Sequence, residues 1–178
     1  GYPVHLVDRA PLIGGLMPQL AKTFPTNDCA MCFIAPKTED RSGCLRGGVA
    51  AWRHPRIEVL PNTELRALTG EAGNFQAVLE TAPRFIDAKA CTACGQCSEV
   101  CPESAVNVFN VSLDRRAAAY LPFPQAVPRL YQIDEQACTK CGACVDACPV
   151  QAVHLGEGPR ERSVTVGAVV LAVGNQVF

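Results

Sequence analysis

Short blocks of alternating or continuous apolar residues, punctuated by glycine, proline and asparagine, recur along the chain and predict strands. The first is PVHLV, Pro3 to Val7, which ends on Asp8 and leads to the glycine pair Gly14 and Gly15. Residues 57–87, IEVLPNTELRALTGEAGNFQAVLETAPRFID, read as consecutive short strands separated by PN and GEAGN turns, the pattern of an antiparallel meander. Near the end, VHLGEG and RSVTVGAVVLAVG predict further strands, the last an unbroken apolar run suited to burial on both faces.

The middle of the chain obeys a different rule. CTACGQCSEVCPESAV (91–106) and CTKCGACVDACPVQAV (138–153) are offset by 47 residues and agree at nine of sixteen positions, which makes them an internal repeat. The stretch joining them carries two β-leaning pieces, VNVFNVS and LYQID, and Pro122, Pro124 and Pro128 impose an extended, helix-free connection. The expected architecture is α+β: a β-rich frame on both sides of a module inserted into it.

Each repeat has the form CxxCxxCxxxCP, the run found in bacterial two-cluster ferredoxins. Two residues between cysteines let a tight loop set three thiolates on three iron corners of one cube. The fourth cysteine, three residues further on, is carried toward the neighbouring cube, so the clusters exchange their last ligands. The expected sets are Cys91, Cys94, Cys97 and Cys148 for one 4Fe-4S cluster, and Cys138, Cys141, Cys144 and Cys101 for the other. Pro102 and Pro149 fix the backbone after the crossing ligand, and Gly95 and Gly142 ease the close wrap of the loop. Zinc held by four cysteines is the competing reading, but such sites usually take two ligands from each loop rather than three.

Composition excludes several function classes. The 16 basic residues are scattered among 17 acidic ones, so no charge excess invites nucleic acid. The run VGAVVLAVG is half the roughly 18 residues that a membrane-spanning helix requires, so no membrane insertion is expected. No basic-then-apolar leader opens the chain, and the expected location is the cytoplasm, where disulfides are rare and eleven cysteines point to metal instead. His5, His54 and His154 form no metal-binding pattern, and neither a GxSxG nor a Walker glycine loop is present, so hydrolytic and kinase chemistry lack support.

The opening strand fits the second strand of a dinucleotide-binding fold, whose terminal acid holds the adenosine ribose; Asp8 stands in that place, although a strand-end Asp is often no more than a surface residue. The order of GYPVHLVDRAPLIGG, LAKTFPTNDCAMCFIAPK, RHPRIEVL, the two cysteine loops, YLPFPQAVPRLYQID and VGAVVLAVG closely resembles the A subunit of the heterodisulfide reductase family of anaerobic, often methanogenic, microbes. The resemblance covers most of the chain. It implies a partial FAD/NAD(P)-binding domain of the thioredoxin-reductase-like kind, residues 1–83 and 157–178, with a dicluster ferredoxin-like domain, residues 84–156, inserted in it.

It further implies a flavoprotein that passes electrons among FAD, iron–sulfur clusters and partner subunits, in some members by electron bifurcation. Asp8 would then contact the FAD ribose, Gly14 and Gly15 would shape the next turn near the cofactor, and Gly174 would end a strand lying against flavin. The family's first strand and phosphate-binding glycine turn lie outside the sequence, which reads as an internal or truncated piece, so FAD is expected of the intact subunit. The alternative is a stand-alone dicluster electron carrier without flavin.

A third cysteine group, Cys29, Cys32 and Cys44, has three open readings. The resemblance suggests a further iron–sulfur site at Cys29 and Cys32, completed by ligands from elsewhere. A CxxC pair can also be a redox dithiol, and ordinary buried thiols are the plainest account.

Overall fold

The computed structural model of the chain describes residues 1–20, 22–27 and 55–174. β1 (Val4–Val7) and β2 (Ile57–Leu60) form a parallel pair in the register Val4↔Ile57 to Val7↔Leu60. The meander expected over 57–87 therefore loses its first strand to β1. Pro61 brings no N–H, and Asn62 at φ 52° turns the chain away from β2. The turn is tied back to the first segment by Asn62 N–H to the Ala10 carbonyl (2.8 Å) and Thr63 N–H to the Asp8 carbonyl (2.9 Å).

β3 (Thr63–Glu71) and β4 (Asn74–Thr81) make an antiparallel hairpin closed within the GEAGN turn. Gly70 sits at φ +93°, and a Cβ there would lie 2.3 Å from the Asn74 carbonyl oxygen, so only glycine fits. At the other end, Thr63 is fully buried, donates to the Pro61 carbonyl (2.9 Å) and shares a hydrogen bond with Thr81 (2.9 Å). β9 (Arg160–Val166) completes a three-stranded sheet in the order β3-β4-β9. Residues 82–159 thus leave the sheet at Thr81 and return at Arg160, its Cα partner in the neighbouring strand.

Two strand expectations at the C-terminal side fail. Of VHLGEG only Val153 takes part in a ladder, as an isolated bridge to Ile86. The apolar run beyond Val166 is neither strand nor buried: Val170, Leu171 and Val173 are 87%, 81% and 92% exposed. Its partner ends first, because Val166 pairs with Phe75 and the hairpin turn follows, so no backbone remains alongside to continue the ladder.

Within residues 82–159 regular structure is sparse. α1 (Gln96–Glu99) and α2 (Ala143–Asp146) are single turns, β5 (Ser104–Val106) pairs with β6 (Arg115–Ala117), and β7 (Ala119–Tyr120) pairs with β8 (Gln132–Ile133). VNVFNVS contributes only its first valine to β5 and otherwise turns, with Val111 and Ser112 at positive φ. LYQID supplies β8 alone. The core gathers Phe85, Ile86, Cys97, Ala119, Ile133, Cys144, Ala152 and Val153. Each large apolar side chain among them contributes about 1.5–3 kcal/mol by burial.

A smaller core docks the first segment onto this module. Leu12 packs with Phe123 and Ala126, Ile13 N–H donates to the Val127 carbonyl (2.8 Å), and Arg84 Nη2 donates to the Pro11 carbonyl (2.9 Å). Among the described residues no helix is long and apolar enough to cross a membrane.

One ion cluster joins the two sheets. Glu58 on β2 accepts both guanidinium arms of Arg162 on β9 (2.8 and 2.9 Å) and Nδ1 of His5 on β1 (2.8 Å). Arg162 chiefly, against the opposing effect of burial and with help from His5, holds the Glu58 carboxyl down at about 2 against an ordinary 4.5. Because the folded state depresses this group, its contribution is present above about pH 4.5 and fades as pH falls toward about 2. Glu58→Gln is expected to cost up to about 1 kcal/mol at neutral pH, an exposed pair being well screened. In urea titrations the gap between variant and parent should close over the acid window; a gap independent of pH would contradict the assignment.

Candidate metal centre

The two cysteine loops are built by the same local devices, repeated 47 positions apart. The Asp87 and Asp134 carboxylates accept the backbone N–H of Lys89 (2.7 Å) and Gln136 (3.1 Å), and their carbonyls accept the N–H of Cys91 (2.9 Å) and Cys138 (3.0 Å). Those amide contacts, led by Lys89, hold the Asp87 carboxyl below the usual carboxylate range. Ala93 and Lys140 both take positive φ (55° and 58°), which aims their N–H groups at Cys91 Sγ (3.4 Å) and Cys138 Sγ (3.3 Å). Gly95 and Gly142, at φ 97° and 87°, start the single turns α1 and α2 and so deliver Cys97 and Cys144 into the core.

Two cavities result, each with about 300 Å³ of atom-free space, mouth included. Cys91, Cys94, Cys97 and Cys148 line one, and Cys101, Cys138, Cys141 and Cys144 line the other. The chain thus brings the last cysteine of each loop to the cavity of the opposite loop. Cys148 Sγ accepts the Ala152 N–H (3.2 Å), while the Cys101 thiol points to the Glu103 carbonyl (3.6 Å).

The donor set fits a polynuclear cluster: four soft thiols surround each hollow. Among the described residues no three His, Cys, Asp or Glu side chains converge as one bound ion would need. Burial first, then the neighbouring Cys91 and Cys144, pushes the Cys97 thiol up to about 12, and burial likewise raises Cys144. Such thiols ionise only when a metal charge offsets the desolvation.

Comparison with known proteins agrees. Residues 90–152 match the family described as a 4Fe-4S dicluster domain. Over its whole length the chain is 47% identical to the A subunit of the H(2)/formate:CoB-CoM heterodisulfide,ferredoxin reductase of Methanococcus maripaludis, and spans 26% of that protein. It is 42% identical to the iron-sulfur A subunit of the CoB–CoM heterodisulfide reductase of Methanocaldococcus jannaschii, again over 26% of the relative. The chain belongs to the family of heterodisulfide reductase A subunits. Likeness to that family persists at 36% identity to the A subunit of the ferredoxin:CoB-CoM heterodisulfide reductase of Methanosarcina mazei, of which the chain spans 21%. The chain therefore covers about a quarter of the length of the family members it matches.

The residues expected at a flavin are placed less distinctively. Asp8 ends β1, and one carboxylate oxygen accepts the Ala10 N–H (2.9 Å), which fixes the turn. Gly14 and Gly15 both take positive φ (115° and 56°), and Gly174 does so at 71°. Cys29, Cys32, Cys44 and His54 lie outside the described residues. His5 bonds Glu58, and His154 is exposed.

Three residues by the cavities escaped the motif reading. Tyr131 lines the first, its hydroxyl 3.1 Å from where a Cβ on Gly95 would be, and burial pushes the phenol's pKa up. Glu103 lines the second, where its carboxylate accepts a hydrogen bond from Thr139 Oγ1 (3.0 Å). Arg84 is 9% exposed beside the first loop and leaves Nη1 without a partner. A comparison of the two repeats, residue against residue, would have drawn attention to Glu103, since Val150 holds its place in the other copy.

Proposed function

We propose that this chain is the cluster-bearing part of an electron-relay subunit, with one 4Fe-4S cluster held by Cys91, Cys94, Cys97 and Cys148 and another by Cys138, Cys141, Cys144 and Cys101. The observation that carries the reading is the presence of two four-thiol cavities, each completed by the last cysteine of the other loop. Each cluster, when bound, supplies a site that accepts and gives up a single electron. The chain's own part is to wrap the thiols, to donate N–H groups to Cys91, Cys138 and Cys148, and to keep Cys97 and Cys144 away from water.

Residues 84–156 form the cluster module, and residues 1–83 and 157–178 are parts of a flavin-binding frame. The adjacency of Thr81 and Arg160 across the β4–β9 ladder supports an insertion of this kind. In the intact cytoplasmic protein FAD would meet Asp8 through its remaining carboxylate oxygen, with Gly14, Gly15 and Gly174 at its turns. Electrons would then pass between flavin and partner subunits, as the relatives' names suggest for a heterodisulfide reductase. A carrier without flavin is the second reading, favoured by the fact that both four-thiol cavities are lined by residues 86–155 alone.

Anaerobic reconstitution separates these accounts when iron, sulfide and flavin are counted on one sample. About eight irons with bound FAD supports the flavin-containing relay, and about eight without it supports the carrier. Iron beyond eight would implicate Cys29 and Cys32. Stoichiometric zinc, with no charge-transfer colour after reconstitution, would overturn both.

A further inference from the structure

The two thiol cavities come from one repeat yet meet different charges. Ligand by ligand the burial classes match: Cys97 and Cys144 are buried, Cys94 and Cys141 exposed, and the remaining four intermediate. The charges and dipoles around them do not match.

Two differences have the same sign. At the repeat-related positions 103 and 150 the second cavity is lined by a glutamate and the first by a valine. Thr139 Oγ1 donates to the Glu103 carboxylate (3.0 Å) and holds that charge at the cavity, while the Cys101 thiol lies against the same residue's carbonyl (3.6 Å). Second, Cys148 of the first set accepts the Ala152 N–H (3.2 Å), whereas Cys101, its counterpart in the second set, donates to the Glu103 carbonyl (3.6 Å) instead. Lys140 is the opposing charge, but its side chain is exposed, where water and salt screen it. An added electron is stabilised by cations and N–H dipoles and destabilised by a carboxylate.

We propose that Glu103, reinforced by the amide on Cys148, makes the two sites unequal, so that the first electron to enter the module settles on the Cys91, Cys94, Cys97 and Cys148 side. The inference rests on the two-cluster reading above. In this step the first site gains one electron, the external reductant loses one, and no bond is made or broken.

The test is a dithionite titration of the full chain, reconstituted with iron and sulfide and followed by EPR at fixed pH. Two one-electron waves are expected, and Cys94→Ser should alter the signal that appears first. Glu103→Gln should raise the second wave and bring it toward the first by about tenfold in relative electron affinity, about 59 mV for a one-electron couple. Val150→Glu, at a side chain already 40% exposed, should lower the first wave, and with Glu103→Gln it should invert the order. Coincident waves in the parent, a first signal indifferent to Cys94→Ser, or a gap unmoved by both charge variants would overturn the proposal while leaving the clusters in place. Failure to take up iron and sulfide would strike at the two-cluster reading itself.

Discussion

Replacing Cys148 by serine is expected to damage the cluster shared with Cys91, Cys94 and Cys97, and to leave the one held by its own sequence neighbours largely intact. The reason is spatial. Cys148 follows Cys144 in the chain, but it lines the cavity of the first loop. After reconstitution the iron content should fall from about eight toward about four, and the EPR signal of one cluster should weaken while the other persists. Loss of the signal belonging to Cys138, Cys141 and Cys144 would show that each loop keeps its own fourth ligand. The same logic assigns Cys101 to the second site.

Removing both clusters is expected to unfold the module without melting the frame. Eight buried and seven partly buried residues make up the module's main core, and six of these fifteen are cysteines that line the cavities. A core so constituted has little apolar area to set against the entropy of ordering its loops, and the helices it contains are single turns. Ligation is therefore folding energy, as in other small metal-dependent domains. After oxidative chelation, amide exchange over residues 85–155 should quicken by on the order of a hundredfold or more, whereas the β3-β4-β9 ladder should keep its protection. Unchanged exchange in the module would mean that packing alone holds it.

Much of the site was legible because ligand chemistry demands fixed local spacing. Cys91, Cys94 and Cys97 need two residues between them whatever the rest of the chain does, and the repeat at Cys138, Cys141 and Cys144 announces the same requirement. The crossing of Cys101 and Cys148 follows from their distance along the loop. Strand partners were harder, since alternation tells which face of a strand is apolar and not which neighbour it will meet. β2 carries the same kind of pattern as β3, yet it lies beside β1, some fifty residues away in sequence, because Pro61 and Asn62 turn the chain. The run after Val166 has strand composition but no ladder to join. Tyr131 belongs to no motif, and only the fold brings it to the first cavity.

The pairing of Thr81 with Arg160 lets residues 82–159 leave and rejoin the sheet at one place, with the Leu12 contact as a second attachment. Because its two stems stand on one rung of adjacent strands, the intervening segment could be excised and the ends rejoined by a short turn, turning β4 and β9 into an ordinary hairpin. Gaining or losing such a segment at this point would leave the β3-β4-β9 register intact and would uncover the Leu12 contact.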